Sequence, residues 1–73
     1  MNFNFRIVRL KRTDLEKLRD NGEKTEIALV GMVYADEDVG PELIEATVSK
    51  TKIYGNIFGR ADTKAALLKV SAI

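Results

Sequence analysis

Near the start of the chain, apolar and polar residues alternate. Phe3, Phe5 and Ile7 fall on one side of an extended segment, with Asn4 and Arg6 between them, which is the period of a half-buried strand. Val8 and Leu10 continue on the opposite face, so both faces are expected to be partly covered. Thr13-Asp14-Leu15-Glu16 has the spacing of a capping box, in which the Thr13 hydroxyl and the Glu16 carboxylate each satisfy the other's backbone amide. It predicts a short helix with Leu15 and Leu18 on one side, stopped by a left-handed turn at Asn21-Gly22.

The clearest strand is Thr25 to Ala35. Ile27, Leu29, Gly31, Val33 and Ala35 share one face, and Ala28, Val30, Met32 and Tyr34 share the other. A strand apolar on both sides belongs in the middle of a sheet or under an interface. Asp36 to Pro41 reads as a loop. Pro41 to Ser49 is ambiguous. Pro41, Glu42 and Glu45 suit the first turn of a helix, whereas Ile44, Thr47, Val48 and Thr51 are β-branched and favour extended structure. The preferred reading is a short turn or half-helix that becomes a strand by about Ala46. Lys50 to Phe58 reads as strand, and Asp62 is placed to cap a helix from Thr63 to about Val70, with Ala66, Leu67 and Val70 as its inner stripe.

The resulting order is strand, helix, strand, strand, helix. It predicts an α+β fold in one domain spanning residues 1–73, with two short helices on one face of a small antiparallel sheet of about three strands. A small SH3-like or OB-like β-barrel is the alternative if Ala65–Ile73 is a strand. No repeat, linker or low-complexity tract is present.

Charge adds a feature that the pattern of apolar positions does not show. Residues 1–24 carry seven Lys/Arg and four acids, residues 25–45 carry six acids and no base, and residues 46–73 carry five Lys/Arg and Asp62. The net charge of +1 therefore conceals a basic–acidic–basic chain, able to present patches of opposite sign to partners. A 73-residue chain buries only about 60% of its unfolded surface, so stability must come from one core, or from a core extended across a subunit boundary. The longest apolar run, Ile27 to Ala35, is far shorter than the ~20 residues that span a bilayer. The N-terminus lacks the apolar region of a signal peptide. A cytoplasmic location and no membrane partner are expected.

The chain has neither Cys nor His. That removes disulfides, thiolate and imidazole metal ligation, and the side chain best suited to proton transfer near neutral pH. Ser49 and Ser71 are its only serines and have no histidine to activate them. Asp36, Glu37 and Asp38 fail the EF-hand pattern, because Gly40 and Pro41 stand where it needs a ligand and a glycine. Gly55 and Gly59 are not a phosphate loop, since Arg60-Ala61-Asp62 follows rather than Gly-Lys-Ser/Thr. No enzyme, cofactor or metal site is expected.

Two binding readings remain. In the first, the chain is a small protein-binding module (an adaptor, inhibitor or regulatory subunit) that docks a basic partner through Asp36, Glu37, Asp38, Glu42 and Glu45. The second, the alternative, is a nucleic-acid-binding domain. On a regular strand Lys50, Lys52, Tyr54, Asn56, Phe58 and Arg60 project from one face, offering cations to phosphates, aromatics to bases and an amide between them. Arg6, Arg9 and Arg12, with Lys11, form a second basic cluster that would add to this surface. Tyr54-Gly55-Asn56-Ile57-Phe58 is similar to the aromatic-and-glycine strand of an RNA recognition motif, but Phe3–Leu10 supplies no convincing partner motif and the order of elements differs. The same row also reads as a strand whose aromatics enter the core while its lysines guard an edge. The protein-binding reading is placed first because a net charge of +1 falls short of the strongly basic profile of a dedicated nucleic-acid binder. A homodimer is a separate expectation, with the acidic segment of one copy against a basic segment of the other.

Overall fold

The computed structural model describes residues 4–72. Strand and helix alternate throughout: β1 (Phe5–Leu10), α1 (Arg12–Asp20), β2 (Thr25–Ala35), α2 (Pro41–Thr47), β3 (Val48–Phe58) and α3 (Ala61–Lys69). The three strands form one sheet in the order β1-β2-β3, and both pairings are parallel.

This overturns the antiparallel sheet expected from the sequence, and also the barrel. The cause is α2. Its β-branched residues disguise it, yet Leu43, Ile44 and Thr47 are buried, and burial outweighs intrinsic propensity. The Thr47 hydroxyl donates to the Leu43 carbonyl at 2.6 Å, so it enters the interior with its polar group satisfied. With a helix between β2 and β3, the chain crosses back to the end where β2 began, and the two strands run in the same direction. A third helix rather than a strand occupies Ala61–Lys69, which removes the basis for the barrel.

The helix boundaries have local causes. α1 starts one residue before Thr13, with Lys11 at its N-cap and no side-chain cap, so the expected capping box does not form. Its end matches the sequence reading. Gly22 takes φ +67°, its amide donates to the Arg19 carbonyl, and the Glu23 amide donates to the Leu18 carbonyl at 2.8 Å. α3 also starts early, and Asp62 lies inside its first turn, accepting from the Thr63 amide at 2.9 Å.

The three helices cover one face of the sheet. Val33, Val39, Ile44 and Leu67 are fully enclosed between the layers, and Leu10, Leu15, Ile27 and Val48 complete the core around them. Two buried threonines tie α3 to its neighbours through hydroxyl-to-carbonyl bonds: Thr51 on β3 donates to Leu67 at 3.1 Å, and Thr63 on α3 donates to Val39 in the loop after β2 at 2.6 Å. Among the described residues no buried side-chain polar atom lacks a partner.

Across the sheet, Arg6, Gly31 and Gly55 are register partners. Gly31 and Gly55 hold φ +144° and +156°, and a Cβ on either would lie within 2 Å of the carbonyl oxygen of the neighbouring strand. Only glycine allows the three backbones to pass there.

Candidate nucleic-acid interface

The opposite face of the sheet carries no helix. Burial alternates along β2 and β3: Ile27, Gly31, Val33, Ala35 and Thr51 are buried, whereas Ala28, Val30, Tyr34, Lys50, Lys52, Tyr54, Asn56 and Phe58 are exposed. On β1, Phe5, Ile7 and Arg9 share this open side, and Val8 and Leu10 turn towards the helices. The register arranges the open face in rungs: Phe5–Val30–Tyr54, Ile7–Met32–Asn56 and Arg9–Tyr34–Phe58.

The exposure of large apolar groups on this surface is high. Phe5 and Ile7 are each 62% exposed, Tyr54 58% and Phe58 41%. Parallel sheets ordinarily have both faces covered, so a bare face of this composition marks an interaction surface. The reading of Tyr54 and Phe58 as core residues is therefore incorrect. Phe58 instead stacks on Tyr34, with centroids 4.8 Å apart and planes 14° from parallel.

Lys50 and Lys52 lie at the end of the face where β2 and β3 begin, opposite Glu26 and Ala28. Neither lysine has an ion-pair partner among the described residues, and a shallow cavity of about 130 Å³ lies between them and Glu26, Ile27 and Ala28. At the other end, Arg9 binds Asp36 through two bonds, Nε to Oδ1 at 2.8 Å and Nη2 to Oδ2 at 3.0 Å. That hydrogen bond, with the attraction of the guanidinium, holds the Asp36 carboxyl below its ordinary range and raises the Arg9 pKa.

The eight basic and aromatic positions proposed from the sequence are only partly brought together. Arg9, Lys50, Lys52, Tyr54 and Phe58 share the open face. Arg6 instead lines a groove on the helix side with Val8, Leu15 and Leu18. Arg12 pairs with Glu16 at 3.3 Å and Arg60 with Asp62 at 2.7 Å, and both line a separate cavity with Arg19, Asp38 and Glu42. The acidic residues are dispersed among bases in the same way. Asp36 is held by Arg9, Glu45 lies 3.7 Å from Lys69, and Asp38 and Glu42 face the arginine-lined cavity. Glu37 is exposed in the loop. Charges segregated along the chain are thus interleaved in space. Sequence reasoning missed Phe5, Ile7, Val30 and Tyr34 as members of the surface. The signal was present in their alternation, but covered and open faces cannot be distinguished without the positions of the helices. Phe3 lies outside the described residues.

Residues 1–64 match the family described as the Ribbon-Helix-Helix transcriptional regulator family. The chain belongs to that family. No curated protein and no solved structure matches it. The family is one of transcriptional regulators, which agrees better with the nucleic-acid-binding alternative than with the protein-binding reading placed first. The membership brings a class of function and not an arrangement of elements: here strand and helix alternate, rather than a ribbon leading into two helices. Among the described residues no group of acids is placed to hold a metal, and no helix is long and apolar enough to cross a membrane.

Proposed function

We propose that the chain is a DNA-binding regulator that engages DNA through the open face of its sheet. The observation that carries this reading is the row Lys50, Lys52, Tyr54, Asn56, Phe58, exposed along one side of β3 in a member of a transcriptional-regulator family. Lys50 and Lys52 supply phosphate contacts, and their lack of internal partners leaves both charges available. Tyr54 and Asn56 supply a stacking surface and a donor–acceptor pair. Arg9 is committed to Asp36, and its role here is to hold the loop after β2 beside the face.

Fluorescence polarisation with labelled DNA tests this reading. Replacing Lys50 and Lys52 together by Ala should weaken binding and flatten its salt dependence by about 0.7–0.9 in log–log slope per lysine. Unchanged affinity and slope would place DNA elsewhere.

One observation favours a second reading of the same face. It is apolar enough to be covered by a second copy of the chain. A two-fold axis lying across the strands would set Lys50 and Lys52 of one copy against the Asp36–Asp38 loop of the other. A monomer by light scattering, unchanged from low to high salt and at high protein concentration, excludes that arrangement.

A further inference from the structure

We infer that the groove on the helix side of β1 is a binding site for a small aliphatic monocarboxylate, with Arg6 as the anchor for the carboxylate. The site lies across the sheet from the open face and does not depend on how that face is used.

The groove exists because α1 is too short to roof the strands beneath it. Its nine residues rise about 13 Å, against about 36 Å for the eleven residues of β2. Its sequence offers two apolar side chains, Leu15 and Leu18, to cover both β1 and the first half of β2. What remains is a cavity of about 310 Å³ between α1, β1 and β2. That reaches the lower end of the ~300–1,000 Å³ typical of small-molecule sites.

The floor of the groove is aliphatic. Val8, Leu18 and Leu29 pack on the core yet stay half-buried, beside the buried Leu15 and Ile27. Covering the surface that these three leave to water is what draws an apolar tail in. No aromatic ring is among the described residues that line the groove, so it suits a flexible alkyl tail rather than a stacked ring.

Charge selects the other end of the ligand. Side chains alternate along a strand, so Arg9 and Glu26 turn to the open side, and Arg9 is bonded to Asp36. Lys11 and Asp14 stand together at the start of α1 and offset each other, and Lys11 also attracts Asp36. Arg6 lies about 16 Å back along the chain from Lys11 and makes no ion pair among the described residues. It is an uncommitted guanidinium at the rim of an apolar groove, and its planar fork matches a carboxylate through two parallel hydrogen bonds. A neutral ligand would leave that guanidinium unused. The second charge of a dianion would lie over the aliphatic floor, without a partner.

Isothermal titration calorimetry of the intact chain with octanoate tests the site. One octanoate should bind per chain, with Kd below about 1 mM. Octanol, with the same tail and no charge, and acetate, with the charge and no tail, should each bind at least tenfold more weakly. Arg6→Gln should weaken octanoate binding at least tenfold and leave octanol within about twofold. Arg6 is exposed, and circular dichroism verifies that the variant folds. Ile7→Ala, on the open side of the same strand, should leave octanoate binding within about twofold. Octanoate binding that ignores Arg6→Gln, or that loads several molecules per chain, is adsorption to apolar surface and would overturn the inference. Loss of binding on Ile7→Ala with Arg6→Gln silent would move the ligand to the open face and overturn it as well. So would the absence of both heat and any rise in thermal midpoint up to about 10 mM octanoate.

Discussion

Tyr34 and Phe58, register partners on β2 and β3, stack face to face at the edge of a sheet surface that no helix covers. Their rings shield each other from water and flatten the end of the face where the strands finish. Such a pair contributes about 0.5–1.5 kcal/mol beyond its buried area. A double-mutant cycle with Tyr34→Ala and Phe58→Ala, followed by urea unfolding, should return a coupling energy in that range. A coupling near zero would mean that the two rings move independently in solution.

Arg9 and Asp36 set an acid limit on the same end of the sheet. The folded-state pKa of Asp36 lies below the reference value of 3.8, so the pair adds stability that is fully present above that pH. It is lost as pH falls through the lower, folded-state value. The thermal midpoint of Asp36→Asn should therefore trail that of the parent chain at pH 7, with the gap narrowing as the pH is taken down below 3.8. A gap of constant size across that range would show that the carboxylate charge is not what matters.

Among the glycines, Gly31 and Gly55 are the two at which an added Cβ would run into the backbone of the neighbouring strand. Gly55→Ala forces a Cβ against the Gly31 carbonyl and holds Ala at a φ that it rarely adopts. A loss of more than about 2 kcal/mol is expected, enough to unfold much of a small domain at ambient temperature. Gly40→Ala, whose Cβ would find nothing nearer than 3.8 Å, is the control and should cost less than about 1 kcal/mol.

Ile44 is fully enclosed between the helix layer and the sheet. Ile44→Ala should cost about 2–5 kcal/mol, whereas Ile7→Ala on the open face should cost under about 1 kcal/mol. Equal losses at the two sites would indicate that the open face is buried in solution, by a second copy of the chain.

Legibility from sequence differed from element to element. The strand Thr25–Ala35 and the alternation of Lys50 to Phe58 could be read because period-two patterns are local. The parallel topology could not, because it depends on one seven-residue helix, Pro41–Thr47, whose β-branched residues are stabilised by burial that no local pattern reports. Thr13 has the spacing of a cap but lies inside the helix, since α1 begins at Arg12, directly after β1 ends. The candidate site was half legible. Lys50, Lys52, Tyr54 and Phe58 project together as their spacing requires, but Arg6 and Arg12 turn to the helix side because β1 alternates and α1 departs from its end. The acidic patch dissolved for a similar reason, as folding brought Arg9 to Asp36 and Lys69 to Glu45.

The most direct test of the central claim is a two-dimensional amide NMR titration of the intact chain with DNA. The account predicts that shift changes gather on the open face, at Phe5, Ile7, Val30, Lys52, Tyr54 and Asn56, and leave α3 unmoved. Changes centred instead on Arg12, Arg19 and Arg60, with Tyr54 and Asn56 silent, would contradict it and move the interface to the helix side.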